Sequence, residues 1–133
     1  MKIKKVRGYI FSRPFMGERA PQHVQNIIIR DYCEKNNLFY LLSTTEYTKK
    51  NCHLMLEQVL DELKSVDGIV PYSLFQLPEK QKVRLSIYNK ILKSKKEIHF
   101  AVEGLKITSK KDIQKVEDIW SVKNTLPNCL KAL

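Results

Sequence analysis

Val6-Arg7-Gly8-Tyr9-Ile10-Phe11-Ser12-Arg13-Pro14-Phe15-Met16-Gly17-Glu18-Arg19-Ala20-Pro21 is the stretch on which the reading of this chain turns. Its first six residues are β-branched and aromatic enough to form a strand. A polar loop with two arginines follows, and Pro21 suits the first turn of a helix, where its missing N–H costs nothing. From Pro21, Val24, Ile27, Ile28, Tyr32 and Cys33 recur at helical spacing through Glu34-Lys35. Asn36-Asn37 then stops the helix, because Asn tolerates the left-handed turn at a helix end.

The same alternation continues along the chain. Leu38-Phe39-Tyr40-Leu41-Leu42 is a continuous apolar run, the pattern of a strand buried on both faces. Asn51 is expected to cap a second helix, with Leu54, Met55, Val59 and Leu60 or Leu63 inward. Asp67-Gly68 turns the chain into a third strand, Ile69–Leu74, in which Pro71 marks a bulge or an early end. A third helix is expected over about residues 78–92 and a fourth strand over Ile98–Val102. A last helix should run from Ser109, its N-cap, through Trp120 to Pro127.

Strands alternating with helices predict an α/β three-layer sandwich. Its sheet should be four-stranded and mostly parallel, in the order 2-1-3-4, with helices on both faces. One domain is expected over 1–133, with a core at about 6–105 and a helical tail over 106–133. Its 133 residues suffice to bury a core. No apolar run reaches the roughly 20 residues of a membrane span, and the basic start lacks a signal-peptide h-region. A cytoplasmic protein without a membrane partner is therefore expected. Cys33, Cys52 and Cys129 show no CxxC spacing and read as free thiols. The histidines lack metal-ligand spacing, so no metal and no cofactor are expected. The net charge of +10 comes mainly from lysines scattered along helices, which reads first as a solvated surface.

In parallel sheets, ligands bind at the loops that follow the strands. This places Ser12, Arg13 and Arg19 after strand one, Glu46 after strand two, Tyr72, Ser73 and Gln76 after strand three, and Glu103 after strand four. Gln22, His23 and Gln25 open the first helix at the same crevice. Arg13 and Arg19 beside a helix N-terminus suit a phosphate or carboxylate. Ser12 is a candidate nucleophile with His23 as its base. Glu103 is a candidate acid/base, paired with Glu46 if the two face each other. The aromatics Phe11, Phe15, Tyr47, Tyr72 and Phe75 would line a pocket or pack in the core. Neither GxGxxG nor a Walker lysine loop is present.

Two family resemblances follow from particular stretches. Gly8–Ser12, Asn51–Leu60 and Asp67–Val70 resemble the strand leading to the catalytic serine, the second helix and the third strand of serine recombinase (resolvase) catalytic domains, which implies a resolvase-like fold. Ile10 stands where that family has an arginine two residues before its serine. Ser73–Pro78 stands where that family has an Asp-Arg-x-x-Arg cluster. Without those guanidinium groups the electrostatic catalysis of strand exchange is missing, and the long helix of that family is not expected here. Recombination is therefore not expected. Gly8–Asn26, Ser73–Pro78 and His99–Glu103 resemble blocks of the bacterial sporadic carbohydrate cluster proteins, which implies a role in surface-polysaccharide biosynthesis. The expected partner is thus a small anionic sugar-related ligand, with a homo-oligomer left open and nucleic acid disfavoured. The alternative is a non-catalytic interaction or regulatory module that binds a protein or nucleic-acid partner through the lysine-rich surface.

Overall fold

In the computed structural model, which describes residues 3–12, 20–46 and 53–132, strand β1 (Lys4–Phe11) lies inside the sheet. Its first two residues, Lys4 and Lys5, are exposed, Arg7 is half-buried, and Val6 and Gly8–Phe11 are buried. Helix α1 (Gln22–Lys35) leads to β2 (Leu38–Glu46), helix α2 (Leu54–Asp61) to β3 (Gly68–Pro71), and α3 (Gln81–Lys93) to β4 (Glu97–Phe100). Strand β5 (Leu105–Ile107) and helix α4 (Lys110–Ala132) complete the order. Single 3-10 turns at Leu63–Ser65 and Leu74–Gln76 precede β3 and α3 respectively.

The sheet has five strands in the order β2-β1-β3-β4-β5, with β1–β2, β1–β3 and β3–β4 parallel and β4–β5 antiparallel. The expected order 2-1-3-4 is therefore extended by one strand. The addition is a hairpin. Residues 101–104 turn the chain back, and Gly104 at φ +65 adopts the left-handed conformation that glycine accepts without penalty. Three residues are too few for periodicity to reveal a strand, so this edge was invisible to pattern reading.

Three further expectations change. Strand β2 is not buried on both faces: it is an edge strand with Phe39 54% and Leu42 75% exposed. An apolar run reports side-chain type, whereas position in the sheet depends on which crossover places it where. The C-terminal helix does not stop at Pro127 but continues to Ala132; a proline removes one backbone hydrogen bond and strains a turn without forbidding the next one. The helix is therefore 23 residues long, longer at its end than the expected Ser109–Pro127 span, so the expectation that the chain lacks a long helix does not hold. Pro71 ends β3, as an early strand end requires.

Around the sheet, Val6, Tyr9, Ile10, Ile29, Ile69, Val70, Leu74, Tyr88, Ile91, Ile98, Phe100 and Trp120 form the buried core. The register of β1 against β2 slips between Arg7 and Tyr9, so Leu42 and Ser43 both lie opposite Gly8. A Cβ on Gly8 would collide with the Ser43 hydroxyl and crowd the Tyr40 ring. Glycine is favoured there by close approach, not by its backbone angles: a Cβ would force the Ser43 hydroxyl aside.

Candidate functional site

The carboxyl ends of β1, β3 and β4 are tied together by side chains that the loops deliver. Gln25, in the first turn of α1, is fully buried. Its Oε1 accepts from the Phe11 backbone N–H (3.0 Å) and from Gln76 Nε2 (2.8 Å). Its Nε2 donates to the carbonyls of Phe11 (3.0 Å) and Ala20 (2.8 Å). An amide side chain has two acceptor sites and two donor hydrogens, so Gln25 is saturated. It ties Phe11 to Ala20, the chain on either side of residues 13–19.

Gln76, also fully buried, continues the network. Its Oε1 accepts from the Ser73 N–H (3.4 Å), and its carbonyl lies 3.2 Å from His53 Nε2. The Ser73 hydroxyl donates to Glu103 Oε2 (2.8 Å) and accepts from the Phe75 N–H (3.2 Å). Glu103 Oε1 accepts from the Leu74 N–H (2.9 Å). The capping box Ser73-x-x-Gln76 closes this 3-10 turn. Gln25, Ser73, Gln76 and Glu103, separated by up to 78 positions, thus form one connected cluster.

Glu46 serves elsewhere. It is 1% exposed and accepts from the Tyr9 hydroxyl (2.8 Å) and from the N–H groups of Met55 and Leu56 (both 3.1 Å). A carboxylate at a helix start satisfies orphan donors and the helix dipole together. It thereby caps α2, whose N-cap residue His53 makes no side-chain capping bond. Asn51, expected to cap α2, lies outside the described residues. The expected pairing of Glu46 with Glu103 is replaced by two carboxylates bonded to two different turns.

Ser12 is half-buried, and its hydroxyl donates to the Glu46 carbonyl at 2.7 Å. Gln22 and His23 are exposed at the opening of α1. Tyr72 is 9% exposed, and its backbone bonds to the Tyr9 carbonyl and the Val102 N–H. Arg13, Arg19, Phe15 and Tyr47 lie outside the described residues. Phe11 is buried with its ring 5.9 Å from that of His53, and half-buried Phe75 packs edge-on against Trp120. The three arginines among the described residues are engaged away from Ser12. Arg7 donates to the Leu42 carbonyl, Arg30 stacks on Tyr40, and Arg84 pairs with Glu117.

Two clusters carried no sequence signal, because their members are far apart along the chain. Between α3 and α4, Arg84 grips Glu117 with two donors (2.9 and 2.8 Å), and Tyr88 donates to the same carboxylate (3.0 Å). Arg84 also lies 4.1 Å from the Trp120 ring centre. Burial opposes charge on Glu117, but the bonds from Arg84 and Tyr88 outweigh it and hold the carboxyl below its ordinary range. At the amino ends of the strands, Lys4, Glu97, His99 and Tyr32 form a chain. Lys4 Nζ is 2.9 Å from Glu97 Oε2, Glu97 Oε1 is 2.7 Å from His99 Nε2, and His99 Nδ1 is 2.6 Å from the Tyr32 hydroxyl. Burial lowers the His99 pKa despite Glu97, and it raises the Tyr32 hydroxyl to about 12. Neutral His99 with its proton on Nε2 satisfies both neighbours, donating to Glu97 and accepting from Tyr32. Cys33 beside them is a buried free thiol, pushed up to about 11 by burial.

No protein-family model matches this chain, and neither does any curated protein. Solved structures do. The N-terminal catalytic domain of TP901-1 integrase is 15% identical with a TM-score of 0.61, over 93% of this chain and 98% of that one. A resolvase family site-specific recombinase from Streptococcus pneumoniae is 11% identical with a TM-score of 0.63, over 96% of this chain and 97% of that one. The fold is resolvase-like. No helix among the described residues is long and apolar enough to cross a membrane.

Proposed function

We propose that this chain is an accessory protein or small enzyme of bacterial surface-polysaccharide biosynthesis that binds an anionic sugar-related ligand at the carboxyl ends of its strands. The observation that carries the site is Gln25, whose four hydrogen bonds hold both roots of the Arg13–Arg19 loop against the Gln76–Ser73–Glu103 network. A loop positioned by a buried scaffold is the usual way a fold presents binding groups. The guanidinium groups of Arg13 and Arg19 supply fork-shaped donors for a phosphate or carboxylate. The carbohydrate setting rests on the resemblance of the Gly8–Asn26 block to sporadic carbohydrate cluster proteins.

Calorimetric titration with sugar phosphates, nucleotide sugars, and uronic and sialic acids tests this reading. Arg13→Ala and Arg19→Ala should each weaken binding about tenfold to a hundredfold, the worth of one charge-assisted hydrogen bond. Equal affinity in wild type and both variants would reject the site. The recombinase-type fold and the charge of +10 favour a second reading, a module binding nucleic acid or protein through its lysines. Steep weakening with salt would mark nucleic-acid binding, whereas a pocket contact is less screened. Neither reading includes DNA cleavage. Ser12 bonds to a backbone carbonyl and has no partner among Arg7, Arg30 and Arg84. Trapping a Ser12–DNA adduct would overturn that exclusion.

A further inference from the structure

Strand β2 has the composition of an interior strand and the position of an outer one. Asn36–Thr45 contains no charged residue in a chain that is 29% charged. Gly68–Pro78 is equally free of charge, and there the reason is plain, because β3 is buried along its whole length. On β2 the same chemistry faces outward, with Phe39 54% and Leu42 75% exposed. Ile27, 60% exposed, lies on α1 between Asn26 and Arg30, both of which contact Tyr40. Among the described residues no element pairs with the outer edge of β2.

Monomeric folds protect such an edge with lysines, prolines, a very short strand or a bulge, and the bulge of β2 lies at Leu42–Ser43, past Leu38–Leu41. Leu38–Leu41 has none of these: the strand is nine residues long and contains neither Lys, Arg nor Pro, although the chain has 24 Lys and Arg. Its outward N–H and C=O groups, which pair with no strand among the described residues, define the chemistry of the occupant, which must be another extended strand. The other edge differs, since β5 is only three residues long and leads directly into α4.

We propose that the outer edge of β2 is a self-association surface. Two copies pair antiparallel along Leu38–Leu41 about a twofold axis and join their sheets into one continuous sheet. A second copy is favoured over a foreign strand on charge. Two chains of net charge +10 repel, and they meet at least cost along a segment free of charge. An acidic partner, by contrast, would be drawn to the lysine surfaces and not to this neutral edge. Antiparallel pairing of identical strands is also self-complementary, so each copy's Phe39 and Leu42 gain apolar neighbours at once. The regular pairing run ends at the bulge, where Arg7 Nη1 already bonds the Leu42 carbonyl at 2.9 Å. This inference does not depend on the proposed ligand.

Sedimentation of the full chain over a dilution series tests it. Wild type should move from monomer to dimer with rising concentration. Phe39→Lys and Leu42→Lys should remain monomeric with unchanged circular dichroism, since both side chains are exposed. Val122→Lys, on the exposed face of α4, should dimerise like wild type. Hydrogen exchange on unsubstituted protein reads the edge directly, and exchange in Leu38–Leu41 should slow as the dimer forms. A wild type that stays monomeric, a dimer that survives both β2 substitutions or is lost in Val122→Lys, or unchanged exchange in Leu38–Leu41 would each overturn the proposal.

Discussion

At the carboxyl ends of the strands the buried polar groups are mostly neutral, two glutamine amides bonded to backbone and to each other. Between α3 and α4 they are a guanidinium and a carboxylate bonded to one another. The amide cluster holds a loop by its two roots, and its bonds to Phe11 and Ala20 replace those that backbone leaving a sheet would otherwise lack. The ionic cluster joins one helix to another through side chains alone, so it sets how α4 docks. The Phe11–Ala20 tie therefore depends on Gln25, and helix docking on Arg84.

The difference can be broken at its ionic end with the largest effect. Arg84→Met strands the buried Glu117 charge and removes the bonds to the Pro78 and Glu79 carbonyls. It should cost about 3–5 kcal/mol in urea unfolding. The double variant Arg84→Met/Glu117→Leu should regain much of that loss, because no lone charge remains. A single variant within about 0.5 kcal/mol of wild type, the range of ordinary surface changes, would mean that the pair does not pin α4.

Gln25→Leu probes the amide end. It leaves the Phe11 N–H, two carbonyls and the Gln76 amide without their partner, and a loss of about 2–3 kcal/mol is expected. The proteolytic susceptibility of residues 13–19 should rise with it. For Arg84→Met, susceptibility of this loop should stay at the wild-type level once compared at equal global stability. Equal protection of the loop in wild type and Gln25→Leu would sever the link between Gln25 and loop presentation.

The smallest effect concerns pH and separates both clusters from the amino-end chain. Burial holds His99 below its ordinary 6.5, so the folded state favours neutral imidazole. The stability this confers is complete above about 6.5 and declines as pH falls. Glu97 is held below its ordinary 4.5 because bonds from His99 and Lys4 overcome burial, and its contribution is lost at still lower pH. Tyr32, Lys4 and Lys106 face the same imidazole, and burial keeps the Tyr32 hydroxyl protonated at these pH values. His99→Gln should flatten the stability profile just below 6.5. An unchanged slope would place the titration elsewhere. The Gln25–Gln76 amides do not titrate, and Gln25→Leu should leave the slope untouched.

By itself the sequence determined the local conformations. Its 3.6-residue and apolar runs located the main strands and helices. The mostly parallel α/β sheet followed from their alternation, because parallel strands require crossovers of one hand, and its resolvase-like form was implied by the resemblance of Gly8–Ser12, Asn51–Leu60 and Asp67–Val70 to resolvase catalytic domains. The rule that ligands gather at strand carboxyl ends also singled out Gln25, Ser73, Gln76 and Glu103 before their contacts were known. Only tertiary structure decided what those residues touch. Gln25 and Gln76 are 51 positions apart and bond at 2.8 Å, and no periodicity encodes that meeting. The same holds for Glu46 as the cap of α2, for Arg84 with Glu117, and for Tyr32 with His99. Strand β2 shows the limit most clearly. Its apolar residues announced a strand, but whether a strand is inside or at an edge is set by where the other strands lie. Local pattern reports the energy of each segment with water, and pairing is a property of two segments together.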